Sequence, residues 1–143
     1  MIANMEVIAT LTIPAHLAYL SQVRRFVMNA AAALPCGDEQ IDDLILATDE
    51  AVTNIIVHGY QANEGEIRLT IGQQSGACMV VLQDNAPAFD PNNAAKPNIN
   101  APLESRPLGG LGVHLIRMLM DDLHYQQEAD GTNRLTLIKR FPT

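Results

Sequence analysis

The chain has 143 residues and a mass of 15.5 kDa, room for one domain (1–143) and not for two ordinary ones. Hydrophobic residues make up 48% and charged residues 17%, which suits a folded core and excludes a disordered acidic tail. Nine basic residues against sixteen acidic ones leave a net charge of −7, so neither non-specific nucleic-acid binding nor docking on an anionic membrane surface is expected. Cys36 and Cys78 show no paired spacing; the expectation is no zinc site, no disulfide framework and a cytoplasmic location. The opening residues lack a signal-peptide pattern, and no apolar run is long enough to span a membrane.

From Met5 to Ile13 the residues alternate, with Met5, Val7, Ala9, Leu11 and Ile13 on one face and Ile8 out of step, which predicts a half-buried strand. Pro14 suits the first turn of a helix running to about Leu34, with Leu17, Leu20, Phe26 or Val27 and Ala30/Ala31 near helical spacing; Pro35-Cys36-Gly37 breaks it. Asp38 is the expected N-cap of a second helix to His58, stopped by Gly59, with Ile41, Leu44, Ile45, Thr48, Val52 and Ile55 as its apolar stripe. Two alternating runs, Glu66–Gln73 and Ala77–Asp84, joined by Gln74-Ser75-Gly76, read as a hairpin. On the second run Cys78, Val80, Leu82 and Asp84 share a face, so Asp84 ends a buried row.

Residues 91–108 hold four prolines and four asparagines without periodicity, the composition of a long lid. Gly109-Gly110-Leu111-Gly112 then opens a helix from Val113 to about Asp121. Strands at about Leu123–Glu128 and Arg134–Phe141 close the chain around an Asp130-Gly131 turn. The order β-α-α-β-β-lid-α-β-β, with strands in hairpins, predicts an α+β two-layer sandwich: a mixed, mostly antiparallel sheet with about three helices on one face.

Three features carry candidate chemistry. Glu50 and Asn54 are one helical turn apart, about 40° from alignment, and His58 follows a turn later. A carboxylate and a carboxamide so placed can hold a hard cation or orient a hydroxyl, although taken alone they are better explained as a solvent-side polar patch. Asp84, at the end of a buried row, needs donors, and a purine amine is one; taken alone, Asp84 through Pro91 is better explained as a strand-ending turn. Glycines at a helix start leave bare N–H groups for an anion, and they also make a flexible joint. No Gly-Lys-Ser/Thr follows, so this is not a Walker motif.

Taken together and in order, the three resemble the GHKL (Bergerat-fold) class of ATP-binding domains, and within it the anti-sigma-factor serine/threonine-protein kinases. Asp49 through Tyr60 is similar to their N box, Asp84 through Pro91 to their first glycine box, and Gly109 through Asp121 to their second. The run Asn133–Lys139 also fits, so the likeness extends over essentially the whole chain.

The resemblance implies Glu50 as the general base, Asn54 as the Mg²⁺ ligand, and Asp84 as acceptor of the adenine amino proton. Ala86, Gly110, Leu111 and Gly112 complete the ATP contacts, the glycines giving room and N–H groups to the phosphates, and Arg106 reaches toward a phosphate from the lid. One departure stands out: where the first glycine box has glycine two residues after its aspartate, this chain has Ala86, whose methyl is expected to crowd the adenine or stiffen the loop. The implied function is an anti-sigma factor that uses Mg-ATP to phosphorylate a STAS-domain antagonist, working as a homodimer. The alternative is a non-catalytic nucleotide-binding module that sequesters a partner. Apolar Tyr19, Val23 and Phe26 on the first helix give weak support for a dimer.

Overall fold

The computed structural model describes residues 4–61, 63–87 and 110–143, and for 110–112 the backbone alone. Five strands form one sheet in the order β1-β2-β3-β5-β4: β1 Glu6–Pro14, β2 Glu66–Gln74, β3 Ala77–Asp84, β4 Asp122–Gln127 and β5 Asn133–Arg140. Every pairing is antiparallel, so the mixed sheet expected from sequence is a purely antiparallel one among the described residues. The helices are α1 Leu20–Ala32, α2 Asp38–Asn54 and α3 Gly110–Leu119. The two-layer α+β sandwich is as expected, and the proposed lid at 91–108, with Arg106 and Lys96, lies outside the described residues.

The core lies between the helices and one sheet face. Ile13, Ile67, Leu69, Ile71, Val80, Leu82 and Leu137 come from the strands, and Val23, Val27, Leu44, Ala47 and Val52 come from α1 and α2; all are buried. The row Cys78, Val80, Leu82 and Asp84 faces this core, paired across to Gln73, Ile71, Leu69 and Ile67. Ser75 and Gly76 turn the β2–β3 hairpin with positive φ at both residues (51° and 81°), the left-handed pair whose twist matches the strands and which Gly76 adopts without a Cβ penalty.

Local structure departs from the periodicity at four places. The β1–β2 register slips between Val7 and Ala9, making Ile8 the extra residue of a bulge. Val7 therefore turns to the outer face and is 55% exposed, while Ala9, Leu11 and Ile13 keep the core face; one inserted residue inverts every position before it. Pro14 ends β1 opposite Glu66 rather than opening a helix, as an edge strand permits. A single 3₁₀ turn, Leu17–Tyr19, intervenes before α1. The N-cap of α2 is Gly37, not Asp38: the Gln40 side chain accepts the Gly37 N–H at 2.9 Å, and Asp38 and Glu39 occupy the first turn, where the helix dipole favours acids.

The fourth departure bears on function. After Asn54 the helix widens into a π-turn, Ile55–Gly59, closed by the Tyr60 N–H on the Ile55 carbonyl at 2.8 Å. His58 thus leaves the line through Glu50 and Asn54. Gly59 does not stop the helix with a left-handed φ; Gln61 takes that conformation, at φ 53°. The first-helix residues read as a dimer signal divide: Val23 is core, Phe26 packs against it, and Tyr19 is exposed.

Lys139 ties the layers together. Its Nζ donates to the Leu119 carbonyl at the end of α3 (2.6 Å) and pairs with Asp43 of α2 (2.9 Å). Cys36 and Cys78, far apart in sequence, come within thiol hydrogen-bond reach, and both are free. Burial pushes the Cys78 thiol up to about 12, so it is a packed apolar group and not a nucleophile.

Candidate functional site

A pocket opens where α2, the π-turn, β3, α3, β4 and β5 meet. Ala51, Ile55, Val113, Ile116, Leu123 and Leu135 make most of it apolar, with Asn54, Asp84, Tyr125 and Asn133 as its polar groups. An apolar slot with a few converging polar atoms suits a flat heteroaromatic ligand.

Asp84 enters from the last residue of β3 and is 8% exposed. Its Oδ1 accepts two hydrogen bonds, from the Ala86 N–H and from Asn133 Nδ2, each at 2.9 Å. Burial pushes the Asp84 carboxyl above its ordinary value, and the bonds from Asn133 and the Ala86 N–H pull it part of the way back. Among the described residues Oδ2 has no partner. The donors that a buried strand-end aspartate requires are present, and one oxygen is left for a ligand.

Asn54 closes α2, is 7% exposed, and its Nδ2 is buried without a partner among the described residues. An orphaned buried amide on a pocket wall is costly unless a ligand or ordered water engages it. Glu50 is half-buried one turn earlier on the same helix face and does not line the pocket. Asn54, Asp84 and Ala86 are brought together; Glu50 stands beside them.

Gly110, Leu111 and Gly112 form the first turn of α3, three residues before the start expected at Val113. Their N–H groups belong to the set that has no partner within the helix. The same helix sends Val113 and Ile116 into the pocket, so its N-terminal turn adjoins the apolar slot.

Three further residues build the site. Asn133 opens β5 opposite Asp84 and is 3% exposed. Tyr125 donates its hydroxyl proton to Asn133 Oδ1 at 2.7 Å. Tyr60 donates to the Glu66 carbonyl (2.7 Å) and accepts the Asn85 N–H (2.9 Å), fastening the π-turn to the segment after β3. The signal for Asn133 was in the alternation, which places it with Leu135 and Leu137 on the core face. The same alternation places Tyr125 with Leu123, whereas no spacing rule points to Tyr60. Ala86 is buried, and its methyl faces Gly59.

The profile of the histidine kinase-like ATPase domain family matches residues 13–139. Curated relatives agree: the serine-protein kinase RsbW of Bacillus cereus is 33% identical over 128 residues, covering 87% of this chain and 80% of that protein. Those of Bacillus thuringiensis and Bacillus anthracis are each 32% identical over the same coverage. The chain belongs to the RsbW serine-protein kinase family of histidine kinase-like ATPases. The solved structure of the RsbU and RsbW domains of Rv1364c from Mycobacterium tuberculosis shares the fold, with a TM-score of 0.60 at 18% identity. The likeness covers 92% of this chain and 32% of that one, so this chain corresponds to about a third of it. For the RsbW family, the expected α+β sandwich, ATP-binding domain and kinase relatives are all found.

Proposed function

We propose that the chain is an anti-sigma factor with protein-serine/threonine kinase activity, using Mg-ATP to phosphorylate a STAS-domain antagonist. The observation that carries the reading is Asp84: a buried carboxylate lining an apolar slot, with one oxygen held and the other without a partner among the described residues. A purine in that slot stacks on apolar side chains and gives its exocyclic amine to Oδ2. The first turn of α3, with Gly110 and Gly112 leaving space, offers backbone N–H groups and the helix dipole to the phosphates, which a chain of charge −7 needs.

The residues fit a magnesium ion held mainly by its nucleotide. Among the described residues no cluster of three or more acidic, His or Cys side chains forms a metal cage, and Asn54 supplies one amide oxygen; phosphates and water would complete the shell. Bound there, Mg²⁺ neutralises phosphate charge. Glu50 accepts the proton of the substrate hydroxyl as its oxygen bonds to the γ-phosphorus and the bond to ADP breaks.

The proposed partners are a sigma factor, the STAS-domain antagonist and a second copy of the chain, all in the cytoplasm. No described helix is long and apolar enough to cross a membrane.

The test is incubation with γ-labelled ATP, Mg²⁺ and candidate STAS-domain proteins. Label on a serine or threonine, lost in Glu50→Ala while nucleotide stays bound, supports the reading. Binding without transfer to any candidate selects the non-catalytic module instead.

A further inference from the structure

Asn133 has every polar atom committed. Its Nδ2 faces two acceptors, Asp84 Oδ1 at 2.9 Å and the Ala86 carbonyl at 2.9 Å, so that end of the amide must be the NH₂. Its Oδ1 accepts the Tyr125 hydroxyl at 2.7 Å. The amide therefore cannot flip without setting two acceptors against each other and leaving Tyr125 Oη without this acceptor. Both NH₂ hydrogens are spent inside the protein, so Asn133 has no donor left for a ligand.

The consequence falls on position 84. Two donors, Asn133 Nδ2 and the Ala86 N–H, converge on Oδ1, so whatever atom stands there must accept. We propose that Asn133, oriented by Tyr125, is a positioning residue that sets base specificity by dictating which polar atom of residue 84 faces the ligand. It rests on the nucleotide reading above and deepens it. With aspartate at 84 the outward atom is an acceptor, matched to a 6-amino purine. With asparagine at 84 the inward atom must be the amide oxygen, which forces the NH₂ outward, where it matches a 6-oxo purine. A group that only packs the strand would lower affinity for both bases alike; Asn133 changes their ratio.

The experiment is titration calorimetry of the full chain with Mg-ATP and with Mg-ITP. ITP replaces the 6-amino group by an oxo group and adds no 2-amino bulk. Wild type is expected to favour ATP by about 10–100-fold, the range of one charge-assisted hydrogen bond. Asp84→Asn is expected to invert the preference toward ITP. In Asp84→Asn/Asn133→Asp, the new carboxylate calls for the NH₂ of residue 84 on the inner side while the Ala86 N–H still calls for an acceptor there, so the ITP preference is expected to fall toward parity. If that double variant does not fold, Asp84→Asn/Asn133→Ala replaces it, with the ITP preference reduced several-fold.

An Asp84→Asn protein that still favours ATP, or favours neither, overturns the proposal. So does an inverted preference that substitution of Asn133 leaves unchanged, since the Ala86 N–H alone would then set it. Wild type that binds neither nucleotide removes the ATP reading and this proposal with it, an outcome distinct from binding with the wrong ratio.

Discussion

A β-carbon placed on Gly59 would stand 3.2 Å from the methyl carbon of Ala86. The two positions are complementary: the π-turn supplies a glycine where the segment after β3 supplies an alanine. The methyl expected to crowd the adenine is thus seated against a backbone that lacks a side chain. Gly59→Ala should destabilise the fold by about 1–3 kcal/mol through overpacking. Ala86→Gly in the same chain should recover most of that loss. Urea denaturation of the four proteins of this double-mutant cycle measures the coupling; strictly additive effects would show that the two residues do not meet.

Glu50 and Asn54 share a helix face but not an environment, so their variants should separate. Glu50→Ala is expected to lower phosphoryl transfer by about 10²–10⁴-fold, the range of a lost general base, and to leave Mg-ATP affinity within a few-fold. Single-turnover transfer and equilibrium binding read the two quantities independently. Affinity lost in step with rate would move Glu50 from base to binding group.

Asn54→Ala should do the reverse. Its buried Nδ2 has no partner to lose among the described residues, so relief of that cost should offset the lost packing and the unfolding free energy should change by less than about 1 kcal/mol. Magnesium-dependent nucleotide binding should fall sharply. Melting curves with and without Mg-ATP test both halves: the ligand-induced rise seen in wild type should vanish from a variant whose ligand-free melting point is unchanged.

Burial holds the Asp84 carboxyl above its ordinary value, 3.8, so ionising it opposes folding. That cost is absent below the unfolded value and complete once pH has risen through the folded one. Ligand-free Asp84→Asn, which carries no charge, should therefore melt above wild type at pH 7. The gap should close as pH falls below 3.8. Thermal melts across that range decide it; a gap independent of pH would mean that the variant acts through packing and not through charge.

Tyr60 joins two motif segments through one hydroxyl. Tyr60→Phe keeps the ring but leaves the Asn85 N–H without its acceptor and the Glu66 carbonyl without its donor. A loss of about 1–3 kcal/mol is expected by chemical denaturation. Nucleotide affinity should weaken as well, because Asn85 adjoins Asp84.

The layer architecture was legible because burial has a period: alternation marks one sheet face, and the 3.6-residue repeat marks α2. Asp84 was legible for the same reason, as a carboxylate in a row of apolar residues. Contiguous motifs carried Glu50, Asn54 and the glycines of α3. The bulge at Ile8 was visible only as a residue out of step, since which side of it inverts depends on the β2 register. The π-turn left no mark: it is closed by the Tyr60 N–H on the Ile55 carbonyl, a backbone bond that no side-chain pattern records.

What the sequence determined by itself was the kind of atom available at each position: a carboxylate at 84, a carboxamide at 54, glycine backbone at 110 and 112. What only the tertiary structure decided was which of those atoms remain free. Asn133 lies 49 residues from Asp84 and Tyr125 lies 8 residues from Asn133, yet a chain of hydrogen bonds joins all three and holds one carboxylate oxygen of Asp84, while the other has no partner among the described residues. Hydrogen bonds are directional and each donor is spent once, so the chemistry of such a site depends on how partners distant in sequence are paired, which no local pattern records.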